Sequence, residues 1–123
     1  MRVFMPKDRF AIGIDFGTES GRVVVFRLRD GEAVGAAVVE YPDGVIDQKL
    51  PGGPRLDPDW ALQNPRDYLL VFEKGVPRAL KNAKVKPEDV VSIGTDFTSC
   101  TVPWISRSSG SKTTRSLVGV VPE

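Results

Sequence analysis

Asp15, Gly17, Thr18, Ser20 and Arg22 stand in one short stretch, Ile12-Gly13-Ile14-Asp15-Phe16-Gly17-Thr18-Glu19-Ser20-Gly21-Arg22. Apolar residues lead into it, and Val23-Val24-Val25-Phe26 leave it. The chemistry these side chains suit is the holding of phosphate. Thr18 and Ser20 offer hydroxyl donors, and Arg22 offers a fork of fixed positive charge. Gly17 and Gly21 lack a Cβ, so the backbone can bend sharply and a ligand can come close to its N–H groups. A concave set of donors of this kind suits phosphate oxygens. Asp15 is then placed to hold a hydrated Mg²⁺ beside them. Asp, Gly, Thr and Ser also make ordinary hairpin turns. The addition of Arg22, with apolar runs on both sides, favours phosphate binding over a plain turn.

The elements that must position these groups can be read around them. Phe10–Phe16 and 22–28 are expected to be strands, so the small residues between them form a hairpin turn. No Gly-Lys-Ser/Thr follows, which excludes a P-loop, and the turn leads into a strand and not the helix of a dinucleotide fingerprint. Arg29-Asp30-Gly31-Glu32 reads as a second hairpin turn, of type I′. It opens a third strand, 33–41. The near-continuous apolar character of the first strand predicts burial on both faces. Residues 42–60 carry Pro42, Pro51, Pro54 and Pro58 and cannot be a regular helix or central strand. Val45, Ile46, Leu50, Leu56 and Trp60 should lay this segment against the body of the protein. Asn64 is suited to cap a helix that Pro65 opens, with Asp67 complementing its dipole. Leu69, Phe72, Val76 and Leu80 recur at helical spacing, and Pro77 predicts a kink or a break near Lys74. A fourth strand, 90–95, ends at Asp96-Phe97-Thr98-Ser99-Cys100-Thr101.

The expected order is β-β-β-α-β, an incomplete mixed α/β sheet. A helical crossover makes the fourth strand parallel to an earlier one. The first strand is its natural neighbour, which brings Asp15 near Asp96 and Ser99. Ligands of open α/β sheets collect at such carboxyl ends. Asp96 is either a second carboxylate of the site or a cap on the strand end, and Cys100 reads as a small buried hydrophobe.

Composition narrows the function. The 123 residues suffice for a small domain, with 41% hydrophobic and 27% charged residues, as in a globular protein. A net charge of +1 gives no basic field for nucleic acid. No run is long and apolar enough for a membrane span, and no signal peptide is evident. With no histidine and a single cysteine, a structural zinc site and a Ser–His–Asp triad are excluded. One cysteine also makes the cytoplasm the default location.

The Asp15–Arg22 stretch resembles the first phosphate motif of the actin/hexokinase/Hsp70 superfamily, and the expected topology resembles the opening half of an RNase H-like fold. Over 10–102 the chain resembles the N-terminal part of the FGGY carbohydrate kinases, and within them the ribulokinase branch. The residues that carry this are Gly13–Arg22, the stretch from Leu56 through Trp60 to Tyr68, and Ile93-Gly94-Thr95-Asp96-Phe97-Thr98-Ser99-Cys100-Thr101. The resemblance implies ATP-dependent, Mg²⁺-assisted phosphorylation of a sugar, L-ribulose, on its terminal hydroxyl. It implies that Asp15 serves the metal, that Gly17, Thr18, Ser20 and Arg22 bind the ATP phosphates, and that Asp96, Phe97, Thr98, Ser99 and Cys100 line the sugar site. Kinases of the same family for xylulose, glycerol or rhamnulose, and a non-catalytic ATP-binding protein of the superfamily, are the alternatives.

Residues 1–9 read as a lead-in. The resemblance ends at Val102, and 103–123, rich in Ser, Thr, Lys and Arg, is expected to be a disordered or frameshifted tail. The family's general-base aspartate has no counterpart, so the chain is expected to be inactive alone. The apolar fourth strand is expected to be an open edge through which the chain self-associates or forms a homodimer.

Overall fold

A computed structural model describes residues 5–97, and the backbone of two further strands at Thr101–Trp104 and Leu117–Val120. Strands β1 (Phe10–Phe16), β2 (Ser20–Arg27) and β3 (Ala33–Glu40) form an antiparallel meander. Two short strands follow, β4 (Val45–Ile46) and β5 (Ala61–Gln63). A helical segment then crosses over to β6 (Val90–Phe97), which pairs parallel to β1. The main sheet has the order β3-β2-β1-β6. This is the mixed α/β arrangement that the sequence implied.

The segment at 42–60 is more ordered than its prolines suggested. Its β4 pairs with β5 in a second sheet of order β4-β5-β8-β7, where β7 is Thr101–Trp104 and β8 is Leu117–Val120. The stretch after Val102, expected to be a disordered or frameshifted tail, thus contributes backbone to this sheet, and β7 runs across that boundary. Ile46 is buried, but Trp60, expected to lie against the body, is half exposed.

The helical segment is continuous, not broken. Asn64 caps it as expected, accepting from the Arg66 amide at 3.0 Å, and Pro65 opens α1 (Pro65–Leu70). A wide π turn at Val71–Gly75 joins α1 to α2 (Val76–Ala83), with the Val76 N–H donating to the Val71 carbonyl. The wider turn lies directly before Pro77, whose ring would clash with the carbonyl four residues back in a regular helix.

This segment packs on one face of the main sheet. Ile12, Ile14 and Phe16 of β1, Val23 and Val25 of β2, Val39 of β3, and Val71, Ala79 and Leu80 of the helix form the core. The approach is close: a Cβ at Gly21 would lie 2.3 Å from a Val71 methyl, and one at Gly35 would lie 2.6 Å from Ala83. Gly21 therefore serves helix packing, where the sequence had suggested access for a ligand. The other face of the sheet is open among the described residues, so β1 is buried on one side only. Nor is the Arg29–Glu32 turn of type I′. Only Gly31 has positive φ, and its N–H closes a wider loop onto the Arg27 carbonyl at 2.8 Å. Arg27 ties that loop with ion pairs to Asp30 and Glu32.

Candidate functional site

The strand register sets the site. In the antiparallel pair Asp15 lies opposite Arg22, and in the parallel pair it lies beside Asp96. Asp15, Arg22 and Asp96 therefore form one row across three adjacent strands, a strand spacing of about 4.8 Å apart. They point to the open face, because their neighbours Ile14, Phe16 and Val23 point into the core. Among the described residues neither Asp15 nor Arg22 forms an ion pair. A groove of about 380 Å³ runs along this row, floored by Gly13 and Gly94 and walled by Val24 and Phe26.

The same alternation fixes the row from behind. Phe16 follows Asp15, Phe97 follows Asp96, and the two rings stack at 4.6 Å on the helix side. Tyr68 meets Phe16 edge-on at 5.4 Å and Phe97 at 5.7 Å. Phe97, carried into the sugar site by resemblance, thus lies on the face opposite Asp96, against Phe16 and half exposed. Asp96 accepts from the Phe97 amide at 2.9 Å, as a strand-end cap does, while keeping its place beside Asp15.

The turn between β1 and β2 is tight. The Gly17 N–H donates to the Ser20 carbonyl at 2.9 Å, and a Cβ on Gly17 would lie 2.9 Å from that oxygen. Gly17 is needed here for lack of space, its φ not being positive. Thr18 and Glu19 are exposed at the tip. The turn sits at the carboxyl end of β1, beside Asp15. The structure thus brings Asp15, Gly17, Thr18, Ser20, Arg22 and Asp96 together. Thr18, Ser20 and Arg22 add donors, and Asp15 and Asp96 add two carboxylates. That donor set fits a hydrated Mg²⁺ with phosphate, since this ion takes one or two carboxylates and completes its shell with water and phosphate oxygens. Among the described residues no cluster of three or more acidic, His or Cys side chains exists that could cage a metal by itself. Thr98, Ser99 and Cys100 lie outside the described residues.

Sequence reasoning passed over the support beneath the turn. Gln63 is buried, its amide nitrogen donates to the Thr18 carbonyl at 2.9 Å, and its amide oxygen accepts from the Tyr68 hydroxyl. Asp67, assigned from sequence to the helix dipole, is buried and accepts from the Gly44 amide at 3.0 Å and the Asp43 amide at 3.3 Å. Burial raises its carboxyl pKa, Asp43 adds to the rise, and the two N–H bonds oppose it. Burial likewise pushes the Tyr41 and Tyr68 hydroxyls up. The signal in the sequence was Gln63 itself, a polar residue after apolar Ala61-Leu62 and directly before a helix cap.

No family model matches the chain. It is, however, 49% identical over 96 residues to a ribulokinase of Mycolicibacterium smegmatis, covering 76% of this chain and 17% of that protein. It is 48% identical over 101 residues to one of Anoxybacillus flavithermus, covering 81% of this chain and 18% of the relative. A Shouchella clausii ribulokinase is 50% identical over 95 residues, again 76% of this chain and 17% of the relative. The chain spans less than a fifth of the length of the curated relatives it matches. At that identity over three quarters of its residues, and with the Gly17–Ser20 hairpin and the parallel strand pair in the expected places, the chain is similar to the N-terminal segment of the ribulokinases.

Proposed function

We propose that this chain forms the phosphate-facing part of an ATP-dependent sugar kinase that phosphorylates L-ribulose on its terminal hydroxyl. The observation that carries the proposal is the row Asp15, Arg22 and Asp96 beside the Gly17–Ser20 turn, on the open face at the carboxyl end of a parallel strand pair. The name ribulokinase on the relatives supports the choice of sugar.

In this reading Asp15 holds the Mg²⁺, with Asp96 within reach of the same ion or of the sugar. Mg²⁺, when bound, neutralises charge on the phosphates. Gly17, Thr18 and Ser20 orient the phosphates, and Arg22 supplies a fixed counter-charge. Thr98, Ser99 and Cys100 are proposed, by resemblance alone, to face the sugar. Phosphoryl transfer needs sugar, base, metal and nucleotide held together. A polypeptide of these 123 residues is therefore expected to bind ATP weakly and to turn over no sugar. A cytoplasmic setting, where ATP and sugar meet, belongs to the same proposal. No helix among the described residues is long and apolar enough to cross a membrane.

The test is a graft. Residues 10–97 of this chain replace the matching segment of the Mycolicibacterium smegmatis ribulokinase, and ADP release is followed with Mg·ATP and a panel of pentuloses and polyols. The expected result is turnover with L-ribulose ahead of xylulose, rhamnulose and glycerol. A folded graft that binds neither nucleotide nor sugar would falsify the proposal.

A further inference from the structure

The Gly17–Ser20 turn has an unusual distribution of polar contacts. Three successive carbonyls all accept on the protein side. Gln63 holds that of Thr18 at 2.9 Å, the Tyr41 N–H holds that of Glu19 at 2.9 Å, and the Gly17 N–H holds that of Ser20 at 2.9 Å. Carbonyl oxygens repel phosphate oxygens, so a phosphate turn must hold them back. The Thr18–Glu19 peptide is the one held by a side chain. A trans peptide is planar, with its C=O and N–H directed opposite ways. Fixing the Thr18 carbonyl on Gln63 therefore directs the Glu19 N–H away from the protein, at a tip where Thr18 and Glu19 are both exposed.

Gln63 is well built for this task. It is 5% exposed, so its amide competes with little water. Its oxygen is occupied by the Tyr68 hydroxyl, which fixes the nitrogen toward Thr18. Tyr68 is in turn set by edge contacts to Phe16, Phe97 and Tyr41. The aromatic cluster that aligns the carboxylate row thus also aims the amide that aligns the turn. We propose that Gln63, fixed by Tyr68, is a positioning residue for phosphate binding, acting by holding the Thr18 carbonyl back so that the Glu19 amide faces the anion. This rests on the phosphate reading of the turn.

The experiment uses the full chain labelled with ¹⁵N, titrated with inorganic pyrophosphate and with Mg·ATP while amide resonances are followed. In the unaltered chain the Glu19 amide should show a large shift on titration, with Thr18 moving too. Gln63→Met keeps the bulk and removes the donor, and should raise the apparent Kd about tenfold, as expected for a lost buried hydrogen bond. Its spectrum should stay dispersed, with changes confined to the turn and its immediate support. Tyr68→Phe removes only the hydroxyl that aims the amide. It should weaken binding in the same direction by a smaller factor, and it decides the matter if Gln63→Met does not fold. Equal affinities in the unaltered and substituted chains, with Glu19 shifting in all, overturn the positioning role and leave the phosphate turn standing. An unaltered chain in which neither ligand moves any amide of the turn overturns both.

Discussion

The two faces of the β3-β2-β1-β6 sheet are made by alternate residues of the same strands, yet they do opposite things. On one face Ile12, Ile14, Phe16, Val23, Val25 and Val39 are buried beneath the helix. On the other, Asp15, Arg22 and Asp96 stand in a row over an open groove. Neighbouring positions such as Asp15 and Phe16 thus differ by a whole role. The closed face contributes stability and holds the strand ends in register. The open face contributes charge at positions the register has fixed. If this division holds, substitutions on the two faces should separate cleanly into losses of folding and losses of binding or turnover.

The largest effect should come from the closed face. Phe16 is 1% exposed and stacks on Phe97. Phe16→Ala should cost about 3–5 kcal/mol, the range for truncating a buried aromatic. The denaturation midpoint of the chain measures it, and a change under about 1 kcal/mol would mean that this face does not carry the fold.

One residue away, Asp15→Asn should leave that midpoint within about 0.5 kcal/mol, because the side chain is exposed and makes no ion pair among the described residues. In the active graft it should lower kcat at least ~100-fold, the size expected for losing a main electrostatic group. Near-normal turnover in the Asp15→Asn graft removes the residue from the site. Arg22→Ala should do less, raising the KM for ATP about tenfold with little change in that for the sugar, as for a lost charge-assisted bond. Equal effects on both substrates would make Arg22 structural.

Much of this division could be read in the chain before its fold was known. The bounds of β1, the cap at Asn64 and the pairing of Asp15 with Asp96 follow from local composition and the crossover rule. What failed did so for definable reasons. The apolar run of β1 resembles a doubly buried strand, but among the described residues only one layer lies on this sheet. β6 is the terminal strand of that sheet, and its Val91, Ile93 and Phe97 are about half exposed at the edge although Ile93 and Phe97 share the helix side with Ile12 and Phe16. Gly21 looked like part of the ligand turn because a glycine in sequence does not show what approaches it. Here the neighbour is Val71, 50 positions on. Gln63 was missed for the same reason: its partner Thr18 is 45 positions away.

The strand edge offers a weaker test. In the described sheet β6 is terminal, and its Ile93 is 53% exposed. If copies of the chain associate through this edge, Ile93→Lys should reduce the associated fraction in sedimentation, since a charge blunts edge pairing. Unchanged association would place the contact elsewhere.

The smallest effect is expected from the other aspartate that the structure singles out. Asp67 is 2% exposed and binds the Asp43 and Gly44 amides, so it is a carboxylate of the closed side as Asp15 is of the open side. Burial holds its folded-state pKa above the ordinary carboxylate value. Below that value both folded and unfolded chains keep the proton. As pH rises, the unfolded chain releases its proton first, so stability falls until the folded carboxyl ionises too. Asp67→Asn cannot ionise but keeps an oxygen to accept the two N–H groups. At neutral pH its stability should lie within about 1 kcal/mol of the unaltered chain, the scale of one hydrogen bond. As pH rises above the ordinary carboxylate value, into the window opened by the raised pKa, the substituted chain should gain on the unaltered one. Denaturant midpoints across that range measure the gain. A relative loss for Asp67→Asn as pH rises would show that the two backbone N–H bonds outweigh burial, and that the ionised carboxylate stabilises the closed side.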